Sequence, residues 1–165
     1  LMRTAVAGVI VAGAIILTAC SNGAAAQREV SSAQSSAIQA QAWSLNDAAQ
    51  HYLDMINPSN VDANTLAGLG DDAPLADYQA TLSLLGNDAG LFAQQLAAGN
   101  WPTAVQPAIA ALIPAVKAEQ TAVQQAITAT SVAAVQAMLA ADAGVIAAAK
   151  AKSAAVRAAL GLPPD

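Results

Sequence analysis

The stretch "PLADYQATLSLLGNDAGLFAQQLAAGNWP", residues 74–102, decides how the chain folds. Leu75, Tyr78, Leu82, Leu85, Ala89, Phe92 and Leu96 recur at alternating spacings of three and four. A helix turns once every ~3.6 residues, so this spacing lays one apolar stripe along one face. The pattern predicts a helix from about Pro74 to Ala98. Asp71, Asp72 and Asp77 gather at its start, where the helix dipole favours anions. Gly86-Asn87-Asp88-Ala89-Gly90 interrupts the helix propensity but not the stripe. Each Gly costs about 1 kcal/mol against Ala in a helix interior. The expectation is therefore a helix that continues and bends there. Gly99-Asn100-Trp101-Pro102 then makes a tight turn, with Gly past one helix and Pro opening the next.

Working outward, the same period recurs on both sides. A third helix is expected over about Thr103–Ala129, with the stripe Ile109, Ile113, Val116, Gln120, Val123 and Ile127. Pro107 suits its first turn, whereas Pro114 lies well inside and predicts a kink or a split. Thr130-Ser131 offers an N-cap for a fourth helix running to about Leu160. Its stripe is Val132, Val135, Leu139, Asp142, Ile146, Ala149, Ser153, Val156 and Leu160, and Gly161 with Pro163-Pro164 ends it.

Upstream, Ile38, Ala42, Leu45, Ala49, Tyr52 and Ile56 predict a first helix from about Ser32 to Ile56. Asn57-Pro58 should stop it, because the residue before Pro is pushed out of helical geometry. The connection 57–73 is then long for a helical bundle, even if Asn60 caps a short helix through Leu66. Such a connection is a candidate contact surface, or a lid that seals one end. The four segments are each about 25 residues, or about 37 Å as straight helices. Two of the three connections are short, so neighbours should be antiparallel. The expected fold is all-α: an up-down-up-down four-helix bundle over residues 34–162. Alanine supports this, since it has the best helix propensity.

The N-terminus reads differently. Arg3 precedes the uncharged run Ala5–Ala19, the pattern of a secretory signal, and the run is short for a membrane span. Leu17-Thr18-Ala19-Cys20 follows, and Cys20 is the only cysteine. This stretch, residues 2–20, resembles the signal and lipobox of bacterial lipoproteins, although Leu1 stands before Met2. The resemblance implies a signal peptide over residues 1–19, cleaved before Cys20, and a diacylglyceryl group on the Cys20 sulfur. It implies a chain anchored by lipid on the outer side of the bacterial cell membrane. Residues 20–33 are small and polar and read as a flexible tether. A lone thiol forms no internal disulfide, and the chain offers it no set of zinc ligands. The apolar buried cysteine is the alternative reading of Cys20.

Charge narrows the partners. Six basic and eleven acidic residues give a net charge of −5 and a pI near 4.5. Phosphate contacts need clustered Lys and Arg, so no nucleic-acid partner is expected. Lys150, Lys152 and Arg157 fall near a helix C-terminus, where the dipole favours cations. Two polar residues break the apolar stripes, Asp142 and Gln120, and both are candidate binding residues. Asp142 reads equally as a register-fixing or solvated seam residue. Asp47, His51 and Asp54 share one side of the first helix with Trp43, a second candidate contact. Two helices would have to supply Glu-x-x-His to build a di-iron site, and this chain has one His and two Glu. No metal site is expected. The chain also lacks a Gly-x-Ser-x-Gly nucleophile turn and a phosphate-binding Gly loop.

The sequence thus points away from an enzyme and from any cofactor beyond the covalent lipid at Cys20. It points to a lipid-anchored binding or scaffold module for an envelope protein complex. The alternative is a carrier of a lipid or other apolar small molecule in the bundle interior. A third reading is a lipoprotein of a phage or mobile element that excludes superinfection.

Overall fold

The computed structural model describes residues 42–164. The lipobox, Cys20 and the tether 20–33 lie outside the described residues. Among those described, the fold is all-helical, with five helices and no strand.

Helix α1, Leu45–Ala67, starts on Ser44. The Ser44 hydroxyl accepts from the Asp47 N–H at 3.1 Å and donates to the Asp47 carboxylate at 2.6 Å. One free N–H of the first turn is satisfied in this way. The helix does not stop at Asn57-Pro58 as expected but runs through Pro58 for nine more residues, to Ala67. An internal proline costs about 3 kcal/mol. Beyond it, Leu66 packs against the core formed by Tyr78, Leu82 and Val123. That burial offsets the lost hydrogen bond. The connection to the next helix shrinks from 57–73 to 68–74, a length ordinary for packed helices.

Helix α2, Leu75–Ala98, matches its expected limits and carries Gly86 and Gly90 inside it. Its predicted stripe is its buried face: Tyr78, Leu82, Leu85, Ala89, Phe92 and Leu96. Helix α3, Gln106–Ala126, holds Pro107 in its first turn and continues through Pro114 as one helix. The expected fourth helix is two. Helix α4, Val132–Ala141, and helix α5, Ala143–Ala159, meet at Asp142 with a 56° bend. Gly161, at φ 71°, ends α5 in the left-handed conformation. Its N–H reaches the Ala158 carbonyl, and the Leu162 N–H reaches back to the Arg157 carbonyl at 2.9 Å. These two bonds satisfy the last carbonyls of the helix.

Packing follows the chain as an arc. Helix α1 lies on α2, α2 on α3 and α3 on α5, while α4 rests on the far end of α2 and α3. Two apolar clusters hold it. One joins Phe92, Leu96, Trp101, Leu112, Val116 and Val156. The other joins Tyr78, Leu82, Leu85, Val123 and Val135. Helices α1 and α5 do not pack along a seam. They are joined where the Tyr52 hydroxyl meets Ser153 Oγ at 2.7 Å, both side chains buried. No single helix among the described residues is long and apolar enough to cross a membrane.

Candidate functional site

Because α1 and α5 diverge beyond Tyr52 and Ser153, a groove opens between them with a volume of about 460 Å³. Its floor is α2 and α3, which contribute Leu85, Ala89, Phe92, Leu112 and Val116. One wall is α1 from Ile56 to Asn64, and the other is α5 from Ile146 to Ser153. The floor residues are the buried faces of their helices, so the groove is cut into the core. The Tyr52 ring packs edge-on to Phe92, with centroids 5.8 Å apart, and backs the hydrogen bond to Ser153 at one end.

Polar groups on three helices reach this apolar trough. Ser59 lines the α1 wall, and its Oγ is buried with no hydrogen-bond partner among the described residues. Glu119 lies on α3, one turn beyond Val116, and is half-buried. Burial pushes its carboxyl above the usual value of 4.5, because desolvation disfavours the charged form. Lys150 stands exposed on the α5 wall. Glu119 and Lys150 form no ion pair with each other or with any other described residue. An apolar cavity of this size with a few polar groups converging on it has the character of a small-molecule site.

The residues singled out from sequence fall elsewhere. Asp142 is not on a continuous helical face. It is the junction of α4 and α5, half-buried, with its backbone N–H bonded to Met138 O at 3.0 Å. Gln120 lies beside the groove residue Glu119 but packs over Gly90, where a Cβ would sit 2.5 Å from its Nε2. Trp43 and His51 do come together, ring on ring at 4.3 Å. Trp43 also meets Trp101 edge-on at 5.0 Å, and its backbone N–H donates to Asn100 O at 2.8 Å. Trp101 is buried, and its Nε1 donates to Leu96 O at 2.7 Å. A side chain at Gly99 would collide with this pair, since a Cβ there lies 2.5 Å from Trp101 Nε1. The tryptophans therefore close the end of the α2–α3 hairpin. Asp54 accepts from Gln50 Nε2 at 2.9 Å and borders a shallower depression of about 330 Å³ formed by α1 alone. Asp47 is taken by Ser44 and not by His51.

Sequence reasoning did not single out Glu119 or Lys150 as site residues, and it reached Ser59 and Asn60 only as part of the 57–73 connection, which is helical here. A signal for Glu119 existed. Leu112, Val116, Glu119, Val123 and Ala126 also recur at three and four, and this is the line α3 buries most deeply. A carboxylate on that line marks the groove. Among the described residues no three His, Cys, Asp or Glu side chains come close enough to hold a metal ion.

No family model matches the chain, and neither a curated protein nor a solved structure shows significant similarity to it.

Proposed function

We propose that the chain is a lipid-anchored lipoprotein of the bacterial cell envelope whose helical domain carries an apolar or amphipathic small molecule, without catalysing a reaction. The observation that carries this reading is the open seam between α1 and α5. A bundle that existed only to be stable would close it, since burying apolar surface contributes about 25 cal/mol per Å². We read α1, α2, α3 and the bent α4–α5 pair as the four members of an up-down-up-down bundle, left unclosed along one side. Anchorage rests on the lipobox-like Leu17-Thr18-Ala19-Cys20. Two acyl chains on one residue would give stable membrane attachment.

The test is purification of the full chain from native membranes, followed by extraction and mass spectrometry of bound lipid. About one amphiphile per protein is expected, beyond the covalent anchor. Ala63 is exposed on the α1 wall, so Ala63→Trp needs no core space and should displace that ligand. A chain that purifies without any such molecule overturns the carrier reading. For the anchor, Cys20→Ser should remain unprocessed and lose its acyl mass. A variant processed to the same size as the parent would refute lipidation at Cys20.

A second reading, docking of an envelope protein, draws on Leu84 and Leu91. They lie seven residues apart on the outer side of α2 and are 57% and 54% exposed. Crosslinking at these positions in intact cells should capture one defined partner if this reading holds.

A further inference from the structure

The groove has room for about one hydrocarbon chain. At about 30 Å³ for each water- or methylene-sized unit, ~460 Å³ holds about 15 such units. Its charges are arranged in an unusual way. Glu119 reaches the groove from α3 and Lys150 from α5, and each is without an ionic partner among the described residues. Among the described residues nothing compensates the partly desolvated carboxylate, and the lysine stands exposed on the rim.

We propose that the groove takes a single-chain zwitterionic amphiphile, with the cationic part of its head against Glu119 and the anionic part against Lys150. This rests on the carrier reading given above and assigns the chemical class of the cargo. An anionic head, such as a fatty-acid carboxylate, would satisfy Lys150 but face Glu119 with a like charge. A purely cationic head would do the reverse. A neutral head would leave both charges unmatched. Only a head carrying both signs pairs with both Glu119 and Lys150. The tail then lies on Leu85, Ala89, Leu112 and Val116, where it replaces water on apolar surface.

The experiment is native mass spectrometry of the full chain released from detergent, offered equimolar tetradecyl amphiphiles that differ only in the head. These are lyso-phosphatidylethanolamine, myristate, tetradecylamine and monomyristin. One lyso-phosphatidylethanolamine per chain is expected, favoured over each of the others by at least about tenfold, as charge-assisted contacts allow. Glu119→Gln should bring myristate to within about threefold of the zwitterion. Lys150→Gln should do the same for tetradecylamine. Both variants are expected to keep parental helicity by circular dichroism, because Gln fills the space of Glu and Lys150 is exposed. If all four heads bind equally, or the preference survives both substitutions, the head-group assignment is wrong while the carrier reading stands. If no amphiphile is retained, or Ala63→Trp leaves retention unchanged, the groove is not the site and both readings fall.

Discussion

Two glycines one turn apart on α2 should respond differently to the same substitution. Gly86 is buried against α3, and a Cβ there would lie 3.6 Å from Val123 Cγ1 and 3.7 Å from Gln124 Cγ, ordinary contact distances. Gly86→Ala therefore gains about 1 kcal/mol of helix propensity and buries part of a methyl group. The expected stabilisation is about 1–1.5 kcal/mol, or about 4–6 °C in Tm for a domain of this size. At Gly90 a Cβ would stand 2.5 Å from Gln120 Nε2 and 3.3 Å from its Cδ. The Gln120 amide makes no hydrogen bond among the described residues, so it is free to turn aside. Turning it into a poorer rotamer costs about 0.5–1.5 kcal/mol, which cancels the propensity gain. Gly90→Ala alone should be near neutral. In a Gln120→Ala background the same change should stabilise by about 1 kcal/mol, giving a coupling of about that size. Urea unfolding followed by circular dichroism measures all four corners of this cycle. A destabilising Gly86→Ala, or additive effects at Gly90 and Gln120, would show that α2 and α3 do not meet in this register.

Three other outcomes follow from the packing. Tyr52→Phe and Ser153→Ala should each destabilise, with a coupling of about 0.5–1.5 kcal/mol in a double-mutant cycle, since their buried hydroxyls meet at 2.7 Å. Leu82→Ala, fully buried and away from the groove, should cost about 3–5 kcal/mol in chemical unfolding. Leu112→Ala should fall nearer 2 kcal/mol, because it widens a space already open. Glu119 is held above its usual value by burial, and Asp62 by burial and then by the charge and hydrogen bond of Asp88. Carboxyls raised in the folded state support it most below their unfolded values and lose that support as pH rises through the folded ones. The stability these two carboxyls contribute should thus decline as pH rises above the ordinary carboxylate range. Glu119→Gln and Asp62→Asn should each flatten the decline in Tm, and a parent curve without it would contradict the assignment.

What the sequence conveyed depended on how far each residue's influence reached. The limits of α2 were readable because seven stripe positions agree along its length. The deeper end of the α5 stripe, Ala149, Ser153, Val156 and Leu160, was readable for the same reason. Pro58 and Pro114 misled, because the cost of a proline is local while the burial that outweighs it comes from other helices. The break at Asp142 was hidden by a stripe whose spacing runs unaltered across it. The groove lay beyond reach, since it exists only through the failure of α1 and α5 to pair. Gln120 came within one residue of it, because two overlapping stripes on α3 were both compatible with the spacing.

The clamp at Trp43 has a mechanical consequence. Its N–H is held by Asn100, and its ring by Trp101 and His51, immediately before α1 begins. A pull on the chain from residues before 42 therefore meets the tip of the α2–α3 hairpin first. Such a load is shared across two tryptophans and a backbone bond before it can peel the first helix away. The walls of the groove, α1 and α5, thus feel such a load only after the contact at Trp43 has given way.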